Sequence, residues 1–450
     1  MSLGSQRAGK SLESFLDRMP CTSLVIKGTV DQPLWGIKVF LVHHVTMEVL
    51  GLIAALRHLG CRDITALFVS YAGEVSDNLL ETILAISPDE FRCMAIVHVP
   101  DKKNLEGYYQ LSSQYSIIDN EAMINKMLAR KKSNYFKSME AIAIAEFMRL
   151  AIRAESEESQ CLVIEDGGYL SPTLNRACMH NRTVKDFVAE IEPNSQDERL
   201  LKDVLAPLLV GTVEHTLNGM NRLQKVVDET GKLAFPAFTI AISNHKRHTE
   251  AREVSISVLN AVEKILYSQG QTLSRRNCVV LGSKGAIGRH LVAQLSCRLI
   301  DAQAQLAGID LLASNNGDQL GIPESKTIDG LPKAILRQLD LVIGVIGLSI
   351  FQGRHLEDWL LYGEPRLIYF ASGSTKTEEF SELADWIDSL LAEPHPKLGG
   401  YNIQIRRRDI KDHLSGRLYA QSLLFEIETE DTKRQREVMF FVTTHVVIAG

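Results

Sequence analysis

No apolar run in these 450 residues is long enough to span a bilayer, since the longest, Leu341-Val-Ile-Gly-Val-Ile-Gly-Leu-Ser-Ile-Phe351, has eleven residues where a membrane helix needs about 20. The N-terminus also lacks the charged-then-apolar pattern of a secretory signal. Seven cysteines (Cys21, Cys61, Cys93, Cys161, Cys178, Cys278, Cys297) are scattered with no C-x-x-C pair. Their odd number and spacing argue against a disulfide framework and a zinc knuckle alike, and no metal ligands are expected. These absences predict a reducing compartment and a cytoplasmic protein. Excess charge is missing too: 49 basic residues face 55 acidic ones, for a net charge of −6 and a pI of about 6.1. Nothing in that balance asks for nucleic acid or an acidic membrane as partner, and small metabolites are the more natural ligands. No internal repeat or low-complexity tract is present.

What is present points to a multidomain α/β protein. The length exceeds what one core accommodates and suits two or three domains, and 45% apolar with 23% charged residues indicates a globular chain. The most informative stretch is 278–310. Val279-Val280-Leu281 reads as a strand, Gly282, Gly285 and Gly288 as a turn, and Leu291, Val292 and Leu295 recur at helical spacing. Glycines where a strand becomes a helix N-terminus can cradle a pyrophosphate, because unpaired amides and the positive end of the helix dipole face it and no Cβ keeps the backbone away. Gly282, Gly285, Ala286, Ile287 and Gly288 are therefore candidate cofactor contacts. Asp310, 22 residues past Gly288, would accept from a ribose 2′-hydroxyl and repel a 2′-phosphate, which favours NAD over NADP. The spacing is G-x-x-G-x-x-G, not G-x-G-x-x-G, and a βα turn that binds nothing has the same outline.

Elsewhere short apolar runs alternate with helical patterning, as in a mostly parallel, doubly wound sheet. Lys38–Val42 and Ile64–Val69 read as strands. His43 and His44 follow the first of them, on the strand-to-helix side where open α/β sheets bind ligands. Helical patterning covers 121–155, and Cys161-Leu-Val-Ile-Glu-Asp-Gly-Gly168 is a strand ending in two acids and two glycines. Leu209–Thr216, Phe235–Ile242, Leu339–Gly344 and Leu367–Ala371 are further strand-like runs. Lys246 and Glu250, four residues apart, share a face if the helix through Val254–Leu266 begins near them. Ser70–Gly73 and Asn315–Asp318 read as loop and turn, 376–383 has no clear pattern, and Val438–Val442 with His445–Ile448 suggests a terminal hairpin.

From about residue 38 to 450 the chain resembles the S-adenosylhomocysteine hydrolase family. The resemblance is carried by His44-Val-Thr46-Met-Glu48, Glu165-Asp-Gly-Gly168, Phe235-Pro-Ala with Lys246 and Glu250, and Gly353-Arg354-His355 with Glu357, in the family's order. It implies tightly held NAD that oxidises a ribose 3′-hydroxyl, followed by elimination at the acidified 4′ position, addition of water and return of the hydride, a hydrolase step of one-carbon metabolism. Lys246 and Glu250 would then deprotonate the 3′-hydroxyl, Asp166 and His44 would serve the 4′ and 5′ steps, and Thr46 and Glu48 would hold the adenine end. His215 falls at a substrate position, and Thr216 and Asn218 at cofactor positions. The implied substrate is a nucleoside-like small molecule, and the implied assembly a homo-oligomer, dimer or tetramer.

Departures from that pattern are several. His215 replaces a substrate-binding Glu, Ser255 stands where the family has a cysteine near the nicotinamide, and Ser372-Gly373-Ser374 replaces a Gly-His-Phe. Ile448 stands in place of an Asn, and the family's segment beyond it has no counterpart here, so weak NAD binding is expected. The sequence thus predicts an N-terminal substrate or catalytic-type α/β domain (1–250) and a Rossmann NAD-binding domain (251–450) with a hinge helix at 251–268. Two functions remain: an NAD-dependent enzyme acting on a nucleoside thioether or related sugar, or a catalytically silent relative that binds NAD or a partner.

Overall fold

The computed structural model describes residues 12–441, apart from 18, 70–76, 102–103, 115, 132–133, 193–194, 313–320, 374–376, 412–417 and 430–431. The chain forms two compact units that divide between Ile242 and Ser243, so Lys246 and Glu250 go with the C-terminal unit. Among the described residues no helix is long and apolar enough to cross a membrane.

The N-terminal unit is built on β1 (Ile37–His44), β2 (Asp63–Val69), β3 (Phe91–Asp101), β4 (Asn104–Leu111), β5 (Gln160–Glu165), β6 (Leu209–Glu214) and β7 (Ala237–Thr239). Their spatial order is β4-β3-β2-β1-β5-β6-β7. All neighbours are parallel except the antiparallel edge pair β3 and β4. Alternation along β1 explains the two helical layers: Val39 and Leu41 point into one core with helix Met47–His58, Phe40 and Val42 into the other with helix Tyr135–Ser156. Helix starts follow from capping, with Thr46 accepting from Val49 N at 3.4 Å and Asn134 accepting from Lys137 N at 2.9 Å.

The C-terminal unit contains β8 (Cys278–Leu281), β9 (Leu306–Ile309), β10 (Glu324–Ser325), β11 (Leu341–Gly344), β12 (Leu367–Ser372), β13 (Lys397–Leu398), β14 (Tyr401–Lys411), β15 (Leu418–Glu428) and β16 (Lys433–Phe441). The order is β10-β9-β8-β11-β12-β16-β15-β14-β13, parallel from β10 to β16 and antiparallel from there to β13. Six strands in the order 3-2-1-4-5-6 are the doubly wound Rossmann arrangement, and the six parallel strands of the N-terminal unit follow the same order, with antiparallel β4 as an added edge. Both sheets are thus doubly wound, with antiparallel additions at their edges.

Several local expectations are corrected. Of the expected hairpin, Val438–Phe441 belong to β16, which pairs parallel with β12 and antiparallel with β15; its other arm, with all residues from 442 onward, lies outside the described residues, as do Ser70–Gly73, Asn315–Asp318 and Ser374. The run Phe235–Ile242 contributes only the three residues of β7. Residues 376–383, unpatterned in sequence, include a short 3-10 turn at Thr377–Phe380 and the start of helix Ser381–Ala392.

Entry into β7 is held by one side chain. Asn175, fully buried, accepts from Ala234 N at 2.9 Å and Phe235 N at 3.1 Å while donating to Ser171 O at 2.9 Å. Asn175→Ala strands two main-chain amides, and a loss on the order of 2–4 kcal/mol is expected in urea unfolding. A variant within about 0.5 kcal/mol of wild type would remove this anchor from the account.

Candidate functional site

Parallel order reverses between β1 and β5 in the N-terminal unit, and side chains at the carboxyl ends of these strands gather there. His43 and His44 are the last two residues of β1, and Asp166 directly follows β5, its amide donating to Val42 O at 2.9 Å. His215 directly follows β6, its amide donating to Glu165 O at 2.9 Å. These main-chain bonds prolong the sheet by one residue and bring four side chains together. His43 Nε2 lies 3.0 Å from His215 Nδ1, and the Asp166 carboxylate lies 3.7 Å from His43 Nε2 and 4.0 Å from His44 Nε2. An imidazole pair beside a carboxylate is suited to accept, hold and return a proton.

Beneath this cluster sit two fully buried carboxylates, Glu165 and Glu214, which are register partners across β5 and β6. Glu165 accepts from Leu170 N and Ser171 N, both at 2.9 Å. Glu214 accepts from Gly167 N and Gly168 N at 3.1 Å and from Thr216 N and Oγ1 at 2.7 Å. Burial, then the neighbouring Glu165 charge, pushes the Glu214 carboxyl up to about 7, and burial pushes Glu165 up as well. Sequence reasoning missed Glu214, although it ends its strand in the same way as Glu165.

The remaining N-terminal candidates have quieter positions. Thr46 caps helix Met47–His58, and Glu48 is exposed in its first turn. Thr216 caps helix Leu217–Thr230, accepting from Gly219 N at 3.1 Å, and Asn218 is exposed.

In the C-terminal unit the order reverses between β8 and β11, and the glycine turn lies at that point. Gly282 has φ +91, and a Cβ there would approach Ile346 N and Cα to 2.9 Å, while a Cβ on Gly288 would lie 1.8 Å from Gly282 O. Only glycine fits either position. Gly285 is the N-cap of helix Ala286–Arg298 and offers no capping side chain, so no N-cap side chain meets the first-turn amides, which include those of Ala286, Ile287 and Gly288. Asp310 follows β9 and is 7% exposed; its Oδ2 accepts from Lys284 N and its Oδ1 from Leu312 N, each at 2.9 Å. Each oxygen retains a lone pair, so this acid both shapes the turn and keeps acceptor capacity. Lys284, unassigned from sequence, reaches the Glu324 carboxylate at 3.1 Å.

Lys246 and Glu250 pair at 2.7 Å within a π-helical turn, Lys246–Glu250, that runs directly into helix Ala251–Ser268. Single π-turns are enriched at functional positions. Arg289 Nη2 ties this turn to helix Ala286–Arg298, donating to Arg247 O at 2.9 Å and approaching His248 Nδ1 at 3.0 Å.

Other positions of the resemblance do structural work. Ser255 is fully buried, donating to Arg252 O and accepting from Gln294 Nε2, both at 2.6 Å, so it pins two helices together. Arg354 and His355 meet Asp329 at 2.6 and 3.4 Å, and Glu357 accepts from Gly399 N at 2.8 Å. Ser372 Oγ donates to the buried Glu379 at 2.6 Å. Among the described residues no group of His, Cys, Asp or Glu side chains has the arrangement to hold a metal ion.

No family model matches the chain, and no curated protein matches it. Among solved structures, the chain is similar to a dipicolinate synthase polypeptide from Bacillus halodurans, at 12% identity and a TM-score of 0.35 over 80% of this chain and 99% of that one. Its counterpart from Bacillus subtilis, also a dipicolinate synthase polypeptide, gives 13% identity and a TM-score of 0.32 over 79% and 96%. An NAD-dependent formate dehydrogenase from Staphylococcus aureus, in complex with NAD, gives 12% and 0.29 over 52% and 62%.

Glu214 makes stability depend on pH. With its carboxyl at about 7 in the folded protein against an ordinary 4.5, the folded state binds more protons, so its contribution is complete below the unfolded value and is lost as pH rises through about 7. Urea unfolding at about pH 5 and about pH 8 should show a difference on the order of 2 kcal/mol from this group. Glu214→Gln should flatten that slope, and an unchanged slope would assign it to other groups.

Proposed function

We propose that this chain binds NAD at the glycine turn and oxidises a hydroxyl on the sugar of a nucleoside-like substrate, as a divergent relative of the S-adenosylhomocysteine hydrolase type. The observation that carries the reading is the cradle itself: Gly282 and Gly288 occupy positions that a Cβ would fill, at the strand-order reversal and the N-terminus of a 13-residue helix. A Cβ at either position would strike neighbouring backbone, and a tight turn with close helix–strand packing is what the first and third glycines of a dinucleotide-binding turn provide. Asp310, poised after β9, supports NAD over NADP because a 2′-phosphate would face its carboxylate.

Bound NAD would supply the hydride acceptor. Lys246 Nζ and Glu250 Oε1, 2.7 Å apart, would together receive and hold the proton of the substrate hydroxyl. Asp166 and His44 would handle the later proton transfers, with His43 and His215 orienting the carboxylate and imidazole. Arg289, by fixing the π-turn against the nucleotide-type helix, would set where Lys246 stands.

A second reading, binding without turnover, is favoured by His215. Where the resemblance has a substrate carboxylate, this imidazole instead sits 3.0 Å from His43. Loss of one hydrogen bond to a reacting group typically costs about 10²–10³ in rate, so homocysteine release from adenosylhomocysteine should be very slow.

Calorimetric titration with both dinucleotides is expected to give saturable NAD binding and weaker NADP binding. Asp310→Ala should erase the preference, and Gly288→Ala should weaken NAD by about a hundredfold or more, since the turn cannot close around a Cβ. Equal affinity for NADP, or no binding of either, would contradict the cofactor assignment.

For the chemistry, Lys246→Ala should abolish reduction of bound NAD by nucleosides while leaving NAD affinity within about twofold. Undiminished reduction by that variant would take Lys246 out of the mechanism. Failure of the wild type to reduce NAD with any nucleoside tested would leave the binding reading.

A further inference from the structure

The amino ends of the N-terminal sheet, away from the strand ends just described, hold a second polar site. A cavity of about 270 Å³ is lined by Thr65 of β2, Arg92 of β3, Asn120, and Glu146, Arg149 and Arg153 of helix Tyr135–Ser156. Four side-chain atoms at its wall are buried without a hydrogen-bond partner: Thr65 Oγ1, Asn120 Oδ1, Arg92 Nε and Arg153 Nε. Thr65 itself is only 2% exposed. Each such atom costs about 1–3 kcal/mol when nothing meets it, and native proteins leave few of them. Four around one cavity mark a place where something else supplies the partners.

Their chemistry defines that partner. Asp63 fixes the two guanidinium heads, accepting from Arg92 Nη2 at 2.6 Å and Arg153 Nη2 at 3.4 Å, and leaves both Nε–H groups unused. Asn120 spends its Nδ2 on Glu146 Oε1 at 2.7 Å, leaving its carbonyl oxygen. Two guanidinium N–H donors, one hydroxyl and one amide acceptor therefore wall the space. Arg92, Arg149 and Arg153 face Asp119 and Glu146 across the lining, with Asp63 held by two of the guanidinium heads, and burial pushes the Glu146 carboxyl up, which weakens the opposing charge.

We propose that this cavity binds a small oxyanion that also carries one O–H or N–H donor, such as hydrogen phosphate or a hydroxycarboxylate. The oxyanion would accept from Arg92 Nε, Arg153 Nε and the Thr65 hydroxyl, with Arg149 adding charge, and its donor would meet Asn120 Oδ1. Nothing in this proposal depends on the dinucleotide reading.

The test is calorimetric titration of the intact chain with inorganic phosphate and with L-malate, and with sulfate at matched ionic strength as an anion without a donor near neutral pH. Saturable binding of phosphate or malate, at least about tenfold tighter than sulfate, is expected; which of the two binds tells a phosphoryl from a carboxylate ligand. Thr65→Val keeps the volume and removes a buried hydroxyl that costs the empty protein, so it should fold well and yet bind the anion about tenfold more weakly. Arg149→Gln should weaken it similarly, whereas Gly288→Ala, which alters the other phosphate-type site, should not. Absence of saturable binding, sulfate binding as tight as phosphate and malate, or equal affinity in Thr65→Val and Arg149→Gln would overturn the proposal. So would a crystal structure grown in phosphate that shows only ordered water among these residues.

Discussion

Glu165 and Glu214 end neighbouring strands as direct register partners, and neither is exposed to solvent. Two carboxylates this close in a dry environment do not both ionise cheaply, so their oxygens must be met by donors. The donors are main-chain amides of the segments that leave the strands: Gly167, Gly168, Leu170 and Ser171 after β5, and Thr216 after β6. The peptide carrying Asp166 is thereby bracketed on one side by its own strand's acid and on the other by its neighbour's. His215, between Glu214 and Thr216, inherits its position from the same bonds. The histidine–aspartate cluster is thus a consequence of how a buried acid pair is solvated by backbone.

The C-terminal unit solves the same topological problem with different means. At its strand-order reversal there is a turn with no room for Cβ atoms, and its single acid, Asp310, sits on the adjacent strand end and fastens the turn through Lys284 N. One unit therefore gathers titratable side chains at its strand-order reversal, whereas the other has a glycine turn and an uncapped helix N-terminus there.

Much of this was legible because it is local. Strand, glycine turn and helix over 278–310 follow from apolar runs and Cβ-free positions, and the i,i+4 placement of Lys246 and Glu250 is realised as an ion pair. Other parts depend on partners far away in sequence. Strands β3, β4, β14 and β15 escaped notice: β4 and β14 are antiparallel strands at or near sheet edges, and the sequence of β14, with Arg406, Arg407, Arg408 and Asp409, reads as a charged loop. Glu214 gains its significance only because β5 places Glu165 beside it. Ser255 looked like a lost cysteine, but its hydroxyl is spent between two helices, a role that needs Gln294 to be seen. The cavity at Thr65 could not be read at all, since it joins residues from 65 to 153.

The outer margin of the larger sheet carries a further implication. Strand β13 covers β14 at Tyr401 and Asn402, and the Ile403 amide donates to Pro396 O at 3.1 Å, so beyond Ile403 that flank of β14 has no strand beside it in the described sheet order, and three successive arginines follow. Side chains alternate there between the two faces of the sheet, with Arg406, paired to Glu426 at 2.8 Å, and Arg408 on one face and Arg407 on the other, so a second copy at this edge would add like charge on both faces. Open β edges are where sheets are prone to polymerise, and like charge along the rim is a standard guard against it. Among the described residues this margin is thus marked by like charge, which makes its colloidal behaviour depend on salt: screening the arginines lowers the barrier to edge-on association.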